Sequence, residues 1–96
     1  MISMPYISPA ERLKLDFTIK SLAALLKTSE NYEGNLNYCI STLADNLLID
    51  NFSYGELNKI IGALECAKLE LYRRLAAPYE DQKIIINGDV FTSLKE

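Results

Sequence analysis

The sequence predicts an all-α fold: a three-helix domain with a short extended or β-hairpin C-terminal tail, assembled as a homo-oligomer. Three observations lead there. Two helix starts carry the Ser-x-x-Glu capping signature, Ser8-Pro9-Ala10-Glu11 and Ser53-Tyr54-Gly55-Glu56. Apolar residues recur at helical spacing over three stretches. At 49% hydrophobic content in 96 residues, the chain also carries more apolar surface than one small core needs, which points to burial against other copies. The expected layout is one domain over residues 1–96, with helices at about 9–28, 35–49 and 54–77 and a tail from 78 to 96.

The first helix opens with Ser8 as N-cap and Pro9 at the first helical position, where its missing N–H costs nothing. Leu15, Ile19, Leu22 and Leu26 form one stripe along it, and Leu13, Phe17 and Ala24 form a second on nearly the opposite side. A surface helix needs one apolar stripe. The second lies either beneath the terminal segments or against a neighbouring subunit, and the subunit is favoured. Glu30-Asn31-Tyr32-Glu33-Gly34-Asn35 has turn composition. The second helix then places Leu36, Ile40, Leu43 and Leu47 at spacings of 4, 3 and 4, with Cys39 beside them as a small buried hydrophobe.

Asp50-Asn51-Phe52 breaks that helix and Ser53 caps the next. Leu57, Ile60, Ile61, Leu64, Leu71 and Leu75 make the core face of the third helix. Lys68 falls in the middle of that face and is expected to pair with Glu65 one turn earlier, since a buried ammonium needs a counter-charge. Pro78 is expected to stop the helix, because proline lacks an N–H and disfavours helical geometry before it. Beyond it Lys83-Ile84-Ile85-Ile86, Asn87-Gly88 and Val90-Phe91 read as a hairpin around a type I′ turn. An isolated hairpin is barely stable, so the helices or a second subunit must receive it.

Composition narrows the function. With no histidine in the chain, triads and metal sites built on imidazole are absent. Two cysteines, Cys39 and Cys66, are too few for a disulfide scaffold. Glu80, Asp81 and Asp89 have the chemistry for a divalent cation but read better as solvated tail charge. The four glycines are scattered, so no phosphate loop is present. No enzyme, cofactor or metal site is expected. A net charge of -3 argues against a nucleic-acid polymer as partner. No apolar run approaches the roughly 20 residues that cross a bilayer. The N-terminal residues, with Met1 or Met4 as start, lack the pattern of a signal peptide, and a cytoplasmic protein with reduced thiols is expected.

The specific residues gather where the third helix ends. Tyr72, Arg73, Arg74, Tyr79, Lys83 and Asn87, with Lys68 as a secondary member, are the candidate ligand-binding set. Arginine forks match phosphate oxygens in pairs, and tyrosine and guanidinium planes stack on bases. The bland roles are helix-dipole compensation for the arginines and edge packing for the tyrosines. On an α-helical wheel Tyr72 lies beside the Glu65 edge, Arg73 faces outward and Arg74 sits on the far flank. One helix is therefore not expected to aim both arginines at one small ligand, and a second subunit or the tail would have to complete a site.

The text from Glu56-Leu57-Asn58-Lys59 through Leu71-Tyr72-Arg73-Arg74, with Ala77-Pro78-Tyr79-Glu80-Asp81, Asn87-Gly88-Asp89-Val90, Gly34-Asn35-Leu36-Asn37-Tyr38 and Met4-Pro5-Tyr6-Ile7, resembles a family of short proteins encoded by bacteriophages and microbial genomes. Their size and helical make-up are similar to the phage immune-evasion sponges, the anti-CBASS type among them. The resemblance implies a homo-oligomer, dimer or tetramer, in the host cell cytoplasm. It would bind and sequester a cyclic dinucleotide or related cyclic nucleotide signal between protomers without cleaving it. Arg73 and Lys83 would neutralise phosphates, Tyr72 or Tyr79 would stack on a base, and the Asn87 turn would close over the ligand. Two other classes compete: a structural or adaptor protein whose helical homo-oligomer binds another phage or host protein, and a small nucleic-acid-binding regulator, which the acidic charge disfavours.

Overall fold

The computed structural model describes residues 7–93. Residues 1–6, with both candidate start methionines, and residues 94–96, the end of the expected tail, lie outside them. Among the described residues the protein is all-helical, with three helical stretches and no strand. They are α1 (Pro9–Leu26), α2 (Glu33–Leu48) and a third that begins as α3 (Tyr54–Leu71), passes through a π-helical turn (Tyr72–Ala76) and continues as α4 (Ala77–Asn87). The chain divides into two units, Met1–Ile60 and Ile61–Glu96.

In the first unit the ends of the helices are set by local chemistry. Ser8 Oγ accepts from Glu11 N–H at 3.3 Å, and Ser53 Oγ accepts from Glu56 N–H at 3.0 Å. Each satisfies an amide that the first turn leaves without an intrahelical partner. The N-terminus of α2 has no side-chain cap, and Leu36 N–H begins its ladder on Tyr32 O at 2.8 Å. The helix therefore starts at Glu33, two residues before the expected boundary. α1 ends at Leu26 rather than Thr28, because Thr28 turns its hydroxyl and its amide onto Leu25 O at 2.6 and 3.2 Å. After α2, Asp50 adopts φ 61, the left-handed conformation that Asp tolerates better than most residues.

No described residue is buried. Both stripes of α1 are open, Leu13 at 77% and Phe17 at 81% exposure on one side, with Leu15, Ile19 and Leu22 also exposed on the other. Along α2, Leu36, Ile40, Leu43 and Leu47 are exposed, while Cys39, Thr42, Ala44 and Leu48 are half-buried. α1 and α2 do not pack along each other. Cys39, expected to be buried, is half-covered and a free thiol.

In the second unit two expectations are overturned. Pro78 does not end the helix. The chain widens into the π turn just before it, and Ala77 N–H bonds to Tyr72 O, five residues back. The pyrrolidine ring at 78 would clash with the carbonyl four residues earlier in an α-helix, and one inserted residue relieves that clash. Pro78 then sits in the first turn of α4, where proline is well tolerated.

The expected hairpin over residues 83–91 is also absent. Lys83 to Asn87 form the last turns of α4, and Asn87-Gly88 is a helix end instead of a type I′ turn. Gly88 N–H returns to Ile84 O at 2.7 Å with φ 90, a conformation open to glycine. Only residues 88–93 of the expected tail are described outside a helix, and Phe91 N–H there bonds to Asp89 Oδ1 at 3.0 Å.

Candidate ligand groove and arginine turn

The π turn decides which side chains meet. In an uninterrupted α-helix, residues eight apart stand about 80° from each other at ~100° per residue. The inserted residue makes Tyr72 and Glu80 equivalent to an i,i+7 pair, within about 20° of one line. Tyr72 Oη accordingly donates to Glu80 Oε1 at 3.2 Å. This bond, reinforced by the negative charge of Glu80 and to a smaller degree by Asp81, pushes the Tyr72 hydroxyl pKa above its ordinary 10.0.

The two arginines follow Glu70. Arg73 Nη2 lies 2.8 Å from Glu70 Oε2, and Arg74 Nη1 lies 3.8 Å from Glu70 Oε1. The expectation that one helix cannot bring both guanidinium groups to one small target is thus corrected. Backbone directions separate them, but long side chains at i+3 and i+4 converge on the carboxylate one turn earlier. The Glu70 side chain is only 21% exposed. The basic turn therefore holds an anion already, supplied by its own helix.

Lys68 pairs with Glu65 at 3.4 Å as expected, but its side chain is 71% exposed. Its expected place in a core face is corrected by the absence of a buried core among the described residues. An exposed pair of this kind contributes little, a few tenths of a kcal/mol.

α4 from Glu80 onward and the residues after it form a shallow groove of about 370 Å³, lined by Glu80, Lys83, Asn87 and Asp89, with Ile84, Val90 and Phe91 supplying apolar wall. Its size is at the small end for ligand pockets. Lys83 Nζ stands 5.5 Å from the centroid of the Tyr79 ring, a cation–π distance. Both acids of the groove take part in hydrogen bonds, Glu80 with Tyr72 and Asp89 with the Phe91 amide.

Of the candidate set, the structure brings Lys83 and Asn87 into one groove, with Tyr79 against Lys83 and Tyr72 tied to the groove acid Glu80. Arg73, Arg74 and Lys68 do not line it. Sequence reasoning missed Glu70, Glu80 and Phe91. Glu70 was detectable from its i,i+3 and i,i+4 spacing to the arginines, whereas the other two depend on the π turn and on α4 replacing the hairpin. Among the described residues no group of three or more His, Cys, Asp or Glu is placed to hold a metal ion, and no helix is long and apolar enough to cross a membrane.

Residues 4–90 match the model of a family described as a domain of unknown function, DUF6899. The matched span takes in most of both units, including α1, α2, the π turn, α4 and nearly all of the groove. Comparison with curated proteins and with solved structures finds no match.

Proposed function

The chain belongs to the DUF6899 family, and we propose that within it this protein is a non-catalytic binding protein. It assembles as a helical homo-oligomer and sequesters a nucleotide-sized anion of the cyclic dinucleotide class. The observation that carries the ligand half is the groove. Lys83 offers a cation and Asn87 an amide on one helix face, with the exposed Phe91 ring available for stacking on a base. The two acids beside them accept hydrogen bonds from the Tyr72 hydroxyl and the Phe91 amide. Arg73 and Arg74 would join a phosphate only by exchanging Glu70 for it, or from a neighbouring protomer.

Titration calorimetry of the full chain against a panel of cyclic dinucleotides tests this reading. One member binding at micromolar concentration or tighter, and about tenfold weaker binding by Lys83→Ala, is the expected result. Recovery of every compound unbound would overturn it.

The exposed apolar stripes of α1 support a second reading, an adaptor that binds another protein through its helical assembly. A stoichiometric protein partner recovered with the intact chain, together with an empty nucleotide panel, would favour the adaptor.

A further inference from the structure

The stripes of α1 and α2 share one pattern. Leu15, Ile19, Leu22 and Leu26 on α1 repeat as Leu36, Ile40, Leu43 and Leu47 on α2, with the same residue types at the same 4, 3, 4 spacing. This is the spacing of a coiled-coil seam, in which each apolar knob enters a hole on a facing helix. Helices of 18 and 16 residues are marginal in water without such a partner, yet α1 and α2 do not pack along each other within the chain.

We propose that the two seams pair between two copies of this chain, α1 of one copy seated on α2 of the other. The proposal rests on the homo-oligomeric half of the reading above and names the surfaces that make the assembly. Exposure supports the pairing. Leu15, Ile19 and Leu22 on α1 and Leu36, Ile40, Leu43 and Leu47 on α2 are each 37–62% exposed, so every copy offers both halves of the contact.

Charge favours the α1–α2 pairing. Arg12 on α1 and Glu33 on α2 each stand three residues before the first leucine of their stripe, so stripes aligned in register oppose arginine to glutamate, whereas two α2 helices would oppose Glu33 to its own copy. Twofold symmetry then makes both seams of each copy equivalent, leaving none open. Leu13 and Phe17 stay on the outer side of α1 as a separate surface.

A charge-exchange experiment tests the pairing on the full chain, read by sedimentation without nucleotide so that it stands apart from the ligand titration. Ile19→Lys and Leu43→Glu, exposed at 58% and 62%, are each expected to reduce the assembly to single chains. Mixed in equal amounts, they are expected to recover the dimer, because one seam then joins lysine to glutamate and the other is unchanged. The double variant in one chain is expected to dimerise as well. A monomeric parent chain, single variants that remain assembled, a mixture that stays monomeric, or a double variant that is folded but monomeric would each overturn the proposal. Should a single variant unfold, failure of the double variant to restore the folded dimer would overturn it too.

Discussion

Tyr72 and Glu80 face each other across the π turn, the tyrosine hydroxyl donating to Oε1 at 3.2 Å. The contact exists because one extra residue in the helix returns two positions eight apart to the same side. It also fixes the sign of a pH effect. The bond favours neutral tyrosine, so the folded pKa lies above the ordinary 10.0. Its contribution is complete below that ordinary value and is lost as pH rises through the raised one. Glu80→Gln should bring the Tyr72 titration back toward 10.0, as followed by ultraviolet difference absorbance, with Tyr72→Phe assigning the transition. An unchanged titration would remove the contact.

Pro78→Ala restores the missing N–H and removes the ring clash, so the π turn should revert to α-helix. Residues after the turn would then rotate by about 100° relative to α3, carrying Glu80 off the Tyr72 face. Far-ultraviolet dichroism should show helix retained, while the raised Tyr72 titration disappears. Retention of that titration would mean that the π turn has a cause other than proline.

Glu70 joins two arginines, so its removal should affect the helix more than loss of a single pair would. Glu70→Gln should cost about 0.5–1 kcal/mol, measured by chemical denaturation, with the difference shrinking at high salt. If the sequestration reading extends to the arginine turn, the same substitution should strengthen phosphate-ligand binding severalfold by weakening the hold on Arg73. Calorimetry with the ligand found in the panel provides the check.

Gly88, at φ 90 and ψ 152, occupies backbone space essentially restricted to glycine. Gly88→Ala should therefore cost about 1–3 kcal/mol locally, freeing the Gly88–Ile84 bond and opening one end of the groove. Hydrogen exchange should accelerate at the last turn of α4 while α1 and α2 remain unaffected. Uniform acceleration across all helices would show that the strain is not local.

The helices were legible where their signals are local. Ser8 and Ser53 form the caps their spacing announces, and α2 forms over the stretch that the 4, 3, 4 stripe marks, although the stripe itself is left exposed. Pro78 misled because its stop rule applies to α-helical geometry, and a π turn provides a way through. Asn87-Gly88 is chemically suited both to a hairpin turn and to a helix end. The β-branched run Ile84-Ile85-Ile86 tipped the reading to strand, although the preceding helix carries those residues along. For the candidate site, Lys83 and Asn87 were singled out by residue type, but their meeting on one face of α4 was hidden while residues 83–91 read as a hairpin. The place of Glu80 was hidden too, since a regular wheel turns it away from Tyr72. The convergence of Arg73 and Arg74 on Glu70 was missed because a wheel records where a side chain leaves the backbone and not where a long one ends.

In the proposed assembly this chain gains its core from other copies of itself. The dependence of its thermal unfolding midpoint on protein concentration tests that most directly, with native mass measured in parallel. Coupled folding and association should give a midpoint that rises with concentration, as mass action requires, and a native mass that is a multiple of 10.8 kDa. A concentration-independent, cooperative transition of a single 10.8 kDa chain would contradict it.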